Sequence, residues 1–478
     1  MHCRAVNGAA VAASYVPATF VRIHPDWWAA LDETAQGSGS ARSASVDKRR
    51  ARDQIGGLTR GGCMNPFELQ PRTDVGQKFV ELAEQHAAEI GVRAAEHDED
   101  GSFPIEAIDA MRASGFLTAA VSQEFGGVGV SSVHDLMVGI NRLGRADGSI
   151  AIAINMHFAV STIVGRMLRG ARERGDDTAA DGLGQFLGAL GSGAVAMANA
   201  TESGTDVRYP MTEVTRVEGG WRLDGRKIFG TLSPVADVMV VSCRVGREQG
   251  GYGGGTAIVF RGTPGQTILD NWDALGMRAS GSNDVVYESC VIPEEMFFEE
   301  GEWGELDEGL LVIGTAGNMG LLGAFVGIAE AAREHIVELL QKRTKQPTGR
   351  PLAERRGIQQ VMAELDVALN TCRAHLSWMG MHVDRVLVDR PVTSVSMDDL
   401  HELMAAFQAS KVVVQQTAIE VVDKALQLSG GAGYFSTSPL SRWYRDVRAG
   451  PFMQPLSAND AHEYIGKVAL GQPPAFEA

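Results

Sequence analysis

The chain has 478 residues and a formal net charge of -16, with 44% hydrophobic and 21% charged residues. This length allows a large core in several layers or domains, and the composition is that of an ordinary soluble globular protein. The acidic balance argues against nonspecific binding to nucleic acid or anionic membranes, because both select basic surfaces. The 5 cysteines show no C-x-x-C pairing, which predicts a reduced cytoplasmic protein without structural disulfides or a metal site.

The first sixty-odd residues differ from the rest. Thr34–Cys63 is rich in Gly, Ser, Ala and Arg and has no hydrophobic periodicity, which is typical of disorder. We expect residues 1–63 to be a disordered extension, with Met64 as the natural start.

Residues 64–190 read as a helical domain. Thr73 or Asp74 can cap a helix whose apolar stripe includes Phe79 and Ile90. Ser149–Leu168 is apolar nearly all round, as expected of a helix packed inside a bundle. No apolar run approaches the length of an uninterrupted membrane span.

Residues 191–304 read as a small β domain. Gly219-Gly220 and Asp224-Gly225 separate short apolar runs, and both dipeptides suit tight hairpin turns. A glycine-rich loop is predicted over Gly250–Gly255, with no feature of a phosphate-binding P-loop. The predicted strands are Val214–Val217, Trp221–Leu223, Lys227–Phe229, Asp237–Val245, Thr256–Phe260 and Asp284–Ile292.

Residues 305–478 return to helical patterns. The predicted helices are Gly309–Arg333, Ala353–Val388, Asp398–Leu428 and Asn459–Leu470. The order of helices, β domain and helices predicts an α+β protein in which two helical layers enclose a β insert.

Five short segments carry residue types with a chemical role. Hydroxyl residues beside glycine can meet a polar heterocycle, arginine can grip phosphate, and glycines allow close backbone approach. The segments are Ala198–Asp206, Gly225–Thr231, Trp272–Ser280, Arg343–Leu352 and Gln427–Tyr434, the last followed by Arg445-Asp446.

In this order the five segments resemble the signatures of the acyl-CoA dehydrogenase family of flavoenzymes. The resemblance implies an N-terminal helical domain, a middle β domain and a C-terminal four-helix-bundle domain. It also implies FAD as cofactor, an acyl-CoA substrate, electron-transfer flavoprotein as electron acceptor, and a homotetramer.

The resemblance also assigns the cofactor contacts in the β domain. Thr201 and Thr205 would contact the flavin or its pyrophosphate. Phe229 would lie along the isoalloxazine ring, and Thr231 would hydrogen-bond near flavin N5. From residue types alone, Phe229 as an ordinary core residue stays equally open.

A second set of contacts is implied in the C-terminal domain. Arg343 would grip the FAD pyrophosphate, with Lys345 or Arg350 as alternatives. Gln427 and the glycines Gly430 and Gly431 would contact the adenine side of an FAD bound mainly by a neighbouring subunit.

The expected reaction is questioned at one position. In the family a glutamate, the catalytic base, usually stands eight residues after the Asp of the Arg-Asp pair, and Gln454 stands there. An amide cannot accept a proton near neutral pH, so Gln454 is not a competent base. The nearest acid on the first long helix after the β domain is Glu308, which we interpret as a helix-start carboxylate.

Three functions follow. Dehydrogenation of an acyl thioester ranks slightly first. The second is a two-component flavin monooxygenase of the same fold, which would use FMN or FAD from a separate flavin reductase. His157 and His462 would then be catalytic candidates, although a backbone-bonded core histidine and a surface histidine are both slightly favoured. The third is a flavin- or acyl-CoA-binding protein without turnover.

Overall fold

The computed structural model describes residues 65–474. The predicted extension over residues 1–63 lies outside the described residues. The protein is α+β: an N-terminal group of helices is followed by a mixed β-sheet and a second group of helices.

Side-chain caps set the starting residues of two N-terminal helices. Thr73 accepts a hydrogen bond from the Gly76 N–H and starts the first helix, and Asp147 accepts from Ser149 and Ile150 to start the fourth. The helices are α1 Asp74–Asp100, α2 Ile105–Ala113, α3 Val133–Ala146, α4 Gly148–Arg174 and α5 Asp177–Gly191.

The sheet has 8 strands in the order β6-β7-β3-β2-β4-β5-β8, with β1 also paired to β4. The pairs β1–β4 and β2–β4 are parallel and the others are antiparallel. The strands are β1 Ala196–Asn199, β2 Glu213–Val217, β3 Gly220–Gly230, β4 Val238–Gly246, β5 Tyr252–Phe260, β6 Gln266–Ile268, β7 Asn283–Pro293 and β8 Phe297–Glu302.

One of the two predicted hairpin turns is wrong. Gly219 has a φ of 82° and lies in the turn between β2 and β3, as expected. Asp224-Gly225, however, lies inside the continuous strand β3, at a shift of its register against β7. A Cβ at Gly225 would lie 2.4 Å from the Thr212 hydroxyl, so this glycine allows close packing rather than a turn.

The glycine-rich segment is also partly strand. Gly250 and Gly251 have positive φ and form the turn, while Gly253–Gly255 belong to β5. Glycine here permits close approach to β8, because a Cβ at Gly255 would lie 2.6 Å from the Phe298 carbonyl oxygen.

The second helical group packs against the first in one hydrophobic core. The helices are α6 Glu308–Thr315, α7 Met319–Lys342, α8 Arg356–Val383, α9 Met397–Ser429, α10 Pro439–Val447 and α11 Ala458–Ala469, with the short strands β9 Thr344–Lys345 and β10 Arg350–Pro351 after α7. A separate core joins the sheet to α4 and α5.

Two helical stretches, Gly148–Arg174 and Glu308–Lys342, are long and apolar enough to cross a membrane, but 83% and 94% of their apolar windows are buried inside the protein. Such burial is typical of core helices. It agrees with the sequence prediction that Ser149–Leu168 is packed within a bundle.

Candidate active site

A buried ion pair joins the first two sequence motifs. Lys227, fully buried on β3, donates a hydrogen bond to Glu202. Glu202 also accepts from the backbone N–H groups of Met211 and Thr212, at 2.8 and 2.9 Å. Burial acts to raise the pKa of Glu202, but Lys227 and the backbone donors outweigh it and lower the pKa. The carboxylate is therefore charged, and it joins Lys227 on β3 to the backbone of Met211 and Thr212, which precede β2.

This pair sets Thr201 beside Phe229. The Ile228 N–H donates to the Thr201 carbonyl oxygen at 2.9 Å. Glu202 follows Thr201 and Lys227 precedes Ile228, so the ion pair and the backbone bond fix the same contact. The two predicted flavin-contacting segments are thereby brought together.

Phe229 presents its ring outward at the end of β3. Its side chain is 56% exposed, and its backbone has a φ of 52°, a conformation that is strained for a bulky residue and that clusters at functional sites. The Trp272 ring packs against it in a T-shaped arrangement, with ring centroids 5.8 Å apart. The alternative of Phe229 as a core residue does not fit this exposure.

Thr231 lies two residues after Phe229 and is partly buried. Its hydroxyl shares a hydrogen bond of 2.8 Å with Ser282, which in turn bonds Ser280 at 2.7 Å. An exposed aromatic face beside a supported hydroxyl suits a planar heterocycle with polar edges, so these residues fit a flavin ring.

Thr205 belongs to a compact loop rather than to an extended one. Its hydroxyl donates to the Tyr209 carbonyl oxygen at 2.7 Å, which leaves only its lone pairs and backbone for a ligand. A cleft of about 560 Å³ opens beside this loop and is lined by Glu202, Ser203, Met211, Thr212, Gly225, Arg226 and Ile228.

The second set of predicted cofactor contacts meets at the end of α9. Arg343 follows α7 and lies 3.5 Å from the carbonyl oxygen of Ser429, to which it donates. Gln427, Gly430 and Gly431 are exposed there. These four residues form one solvent-facing patch, which is compatible with a ligand held partly by another subunit.

Gln454 is half-buried between a short 3-10 turn and α11. The following Pro455 lies against α6: a Cβ at Gly314 would be 3.4 Å from Pro455 and 2.4 Å from Met404. Glu308, the alternative acid at the start of α6, is engaged by Arg166 at 3.1 Å. Glu308 is the helix-start carboxylate that the sequence predicted, and its ion pair with Arg166 adds a partner that the sequence did not show.

The Arg445-Asp446 pair ties α10 both to the β domain and to α1. Asp446 is buried and accepts a hydrogen bond from the Met277 N–H at 2.6 Å, while Arg445 pairs with Asp98. Burial raises the pKa of Asp446 to about 7. A Cβ at Gly276 would lie 2.4 Å from the Arg445 carbonyl group, so the helix and the Trp272–Ser280 segment are in direct contact.

His157 is a core residue. It is fully buried, its Nε2–H donates to the Leu117 carbonyl oxygen at 2.8 Å, and its Nδ1 accepts from the Ala196 N–H at 3.1 Å. Burial lowers its pKa to about 4. Both nitrogens are occupied by backbone, so the structure corrects the proposal that His157 is catalytic.

His462 is an exposed residue near the start of α11. Its Nδ1 donates to the Ala458 carbonyl oxygen, one turn earlier, at 2.6 Å. This is the surface position that the sequence slightly favoured, and nothing in its contacts assigns it chemistry. Within residues 65–474, no group of three or more His, Cys, Asp or Glu side chains could hold a metal ion.

Comparison with known families identifies the chain. Models of the N-terminal, middle and C-terminal domains of acyl-CoA dehydrogenase match residues 74–168, 194–290 and 319–454. The chain belongs to the acyl-CoA dehydrogenase family and has the fold of a flavin-dependent oxidoreductase.

Two similar proteins have a narrower described function than the family as a whole. The chain is 32% identical over 403 residues to the amino sugar nitrososynthase DnmZ of Streptomyces peucetius, covering 84% of this chain and 95% of that protein. It is 34% identical over 403 residues to the L-evernosamine nitrososynthase of a Micromonospora species, covering 84% and 92%.

The chain is also similar to a solved structure with a bound flavin and amino sugar nucleotide. KijD3 in complex with FMN and dTDP-3-amino-2,3,6-trideoxy-4-keto-3-methyl-D-glucose superposes with a TM-score of 0.78 at 33% identity, covering 86% of this chain and 97% of that one. These are proteins that the chain resembles.

Sequence reasoning missed several residues that support the site. Glu202, Lys227 and Trp272 lie within the sequence motifs, but the pattern gives no sign of the contacts that they make. Trp272 and Ser282 support Phe229 and Thr231 from a distant part of the chain. Only the folded sheet brings these residues together.

Proposed function

We propose that this protein is a two-component flavin-dependent monooxygenase that oxidises the amine nitrogen of an amino sugar carried on a nucleotide. The observation that carries the proposal is the amide of Gln454 at the family's base position. An oxygenation needs no carboxylate to remove a proton from carbon, whereas α,β-dehydrogenation does. The nitrososynthase relatives supply the substrate class.

The residues of the chain would bind and orient the cofactor. Phe229 offers the stacking face, and Thr201 and Thr231 offer hydrogen-bonding groups at the ring edge. When bound, reduced flavin supplies two electrons to O₂. In balance, amine, O₂ and reduced flavin give hydroxylamine, water and oxidised flavin, and a second equivalent each of O₂ and reduced flavin gives the nitroso compound and two waters.

The role of Gln454 is then positional. Its side chain can donate and accept hydrogen bonds without a change of charge. It can therefore orient a neutral amine or a polar part of the sugar at the flavin face, where a carboxylate would instead pair with a protonated amine. A protonated amine has no lone pair and would not accept oxygen, so an uncharged side chain suits the reaction.

Acyl-CoA dehydrogenation, ranked slightly first from sequence alone, becomes the second candidate. It would require electron-transfer flavoprotein as acceptor and a carboxylate base. Glu308 is paired with Arg166 at 3.1 Å, which argues against that role. A binding protein without turnover is the third candidate.

FMN and FAD would occupy different extents of the site. KijD3, the structural relative, is described with FMN, and we propose FMN as the preferred flavin. Gln427, Gly430 and Gly431 would contact the adenine side of FAD, which FMN lacks, and Arg343 would contact the pyrophosphate, of which FMN has only one phosphate. A titration that compares the two flavins, with Arg343→Met as the variant, tests this directly: FMN should bind the unsubstituted protein more tightly than FAD does, and the variant should lose more affinity for FAD than for FMN. The proposed assembly is a homotetramer.

The reaction is tested by supplying the purified protein with O₂, FMN, NADH and a flavin reductase, together with a dTDP-linked 3-amino sugar. We expect a product with added oxygen and no product when the reductase is omitted. Anaerobic mixing of the oxidised flavoprotein with a panel of acyl-CoA esters should leave the flavin oxidised. Bleaching of the flavin by an acyl-CoA would overturn the proposal.

Gln454→Glu provides the matched variant. It changes an amide to a carboxylate of nearly the same shape. We expect it to reduce amine oxygenation without creating acyl-CoA oxidation. A gain of acyl-CoA oxidation would show that the rest of the site is built for dehydrogenation.

A further inference from the structure

Lys411 is a buried cation that has no acidic partner within residues 65–474. It lies on α9 and is 2% exposed. The other lysine buried to this degree among the described residues, Lys227, is paired with Glu202. A buried ammonium is costly unless hydrogen bonds compensate it, so its acceptors indicate what it does.

Those acceptors lie on both sides of Gln454. The Lys411 ammonium donates to the carbonyl oxygens of Met453 and Leu456, the latter at 2.6 Å. The two carbonyls flank the dipeptide Gln454-Pro455. Pro455 has no N–H and cannot hold this segment by a backbone donor of its own. The Lys411 side chain holds the backbone of residues 453–456 through its two hydrogen bonds, a contact that we call the clasp.

The buried residues one turn from Lys411 on α9 include two uncharged amides. Gln408 and Gln415 lie one turn away on either side along α9, and each has a buried amide atom without a partner in the described structure. Asp460, the acid that follows in α11, is engaged by Ser457. Burial alone lowers the pKa of Lys411, to about 8.

We propose that Lys411 is a positioning residue for the flavin reaction: its ammonium clasps residues 453–456 and thereby sets the location of the Gln454 side chain. The inference rests on the proposed function only in assigning Gln454 to the substrate side of the flavin. The clasp itself rests on contacts within the chain. The cationic form matters because charge-assisted hydrogen bonds are about twice as strong as neutral ones.

The test combines Lys411→Met with Lys424→Met as the control. Lys424 lies on the same helix but forms surface pairs with Glu364 and Glu420. Hydrogen exchange of the backbone over residues 450–457 is measured with FMN bound. We expect exchange at least about tenfold faster in Lys411→Met, which corresponds to about 1.4 kcal/mol of lost protection, and no change in the control.

Turnover gives the second readout. We expect kcat to fall about 100-fold in Lys411→Met, the effect of a small misplacement at a reacting site. If Lys411 acts through Gln454, adding Gln454→Ala to Lys411→Met should cause little further loss. Independent, multiplying losses would overturn the proposal, as would unchanged exchange over residues 450–457 in a folded Lys411→Met protein.

The unsubstituted protein provides a test that does not depend on the variant folding. Deprotonation of Lys411 as the pH rises through about 8 should weaken the clasp, so protection of residues 450–457, corrected for intrinsic exchange, should fall relative to α7. Constant relative protection from about pH 7 to 9 would contradict the proposal. Exchange needs no substrate, so this result is independent of whether the amine is oxidised.

Discussion

Lys227→Met should destabilise the β domain and loosen the flavin site together. The substitution keeps most of the side-chain volume but leaves Glu202 without its cation in a buried site. Removing one partner of a buried ion pair typically costs about 3–5 kcal/mol. Glu202 keeps its two backbone donors, from Met211 and Thr212, so we expect the lower end, about 3 kcal/mol.

The assay is urea unfolding followed by tryptophan fluorescence, with flavin titration on the folded protein. Glu202→Gln and the double variant complete a cycle, and the double variant should lose about 1–3 kcal/mol less than the sum of the single losses. Arg222→Met on the same strand is the control, because its pair with Asp224 is exposed and such pairs contribute about 1 kcal/mol or less. Additive losses, or equal losses in Lys227→Met and the control, would contradict a stabilising role for the buried ion pair of Lys227 and Glu202.

Three further outcomes are expected. Phe229→Ala should weaken flavin binding about tenfold by removing the stacking face; equal affinity in a titration would contradict this. Asp446 takes up a proton on folding, because its pKa rises from 3.8 to about 7, so stability should fall as the pH rises through this window, and Asp446→Asn should show a shallower slope in thermal unfolding. His157 has a pKa lowered from 6.5 to about 4, so acid should destabilise the protein as the pH falls from about 6.5 to 4. His157→Gln should reduce that loss and leave turnover at neutral pH within a few-fold, whereas abolished turnover in a folded variant would restore a catalytic role.

The sequence predicted the architecture because hydrophobic periodicity and cap residues act locally. Thr73 does cap a helix, and Gly219 does form the turn between two strands. The turn predicted at Asp224-Gly225 was wrong because its conformation depends on a contact that is not local. The same dipeptide can form a turn or allow close packing, and here it packs against Thr212.

The motifs lead to a candidate site whose cofactor contacts stay predictions. A backbone hydrogen bond from Ile228 to Thr201 joins the segment of Thr201 to that of Phe229 and Thr231. The supports of the site join residues far apart in sequence, such as Thr231 with Ser282 and Lys411 with Leu456. No local pattern marks such pairs, since each depends on strand register or helix packing. His157 illustrates the limit, because a histidine in an apolar helix looks the same whether it binds a ligand or the backbone.

The source of the oxygen atom in the product tests the proposed oxygenation most directly. The protein, a flavin reductase, NADH and FMN are incubated with a dTDP-linked amino sugar under isotopically heavy O₂, and the product is examined by mass spectrometry. We predict heavy oxygen on the sugar nitrogen, dependent on reduced flavin. A product without heavy oxygen, or turnover of acyl-CoA in place of the amine, would contradict it.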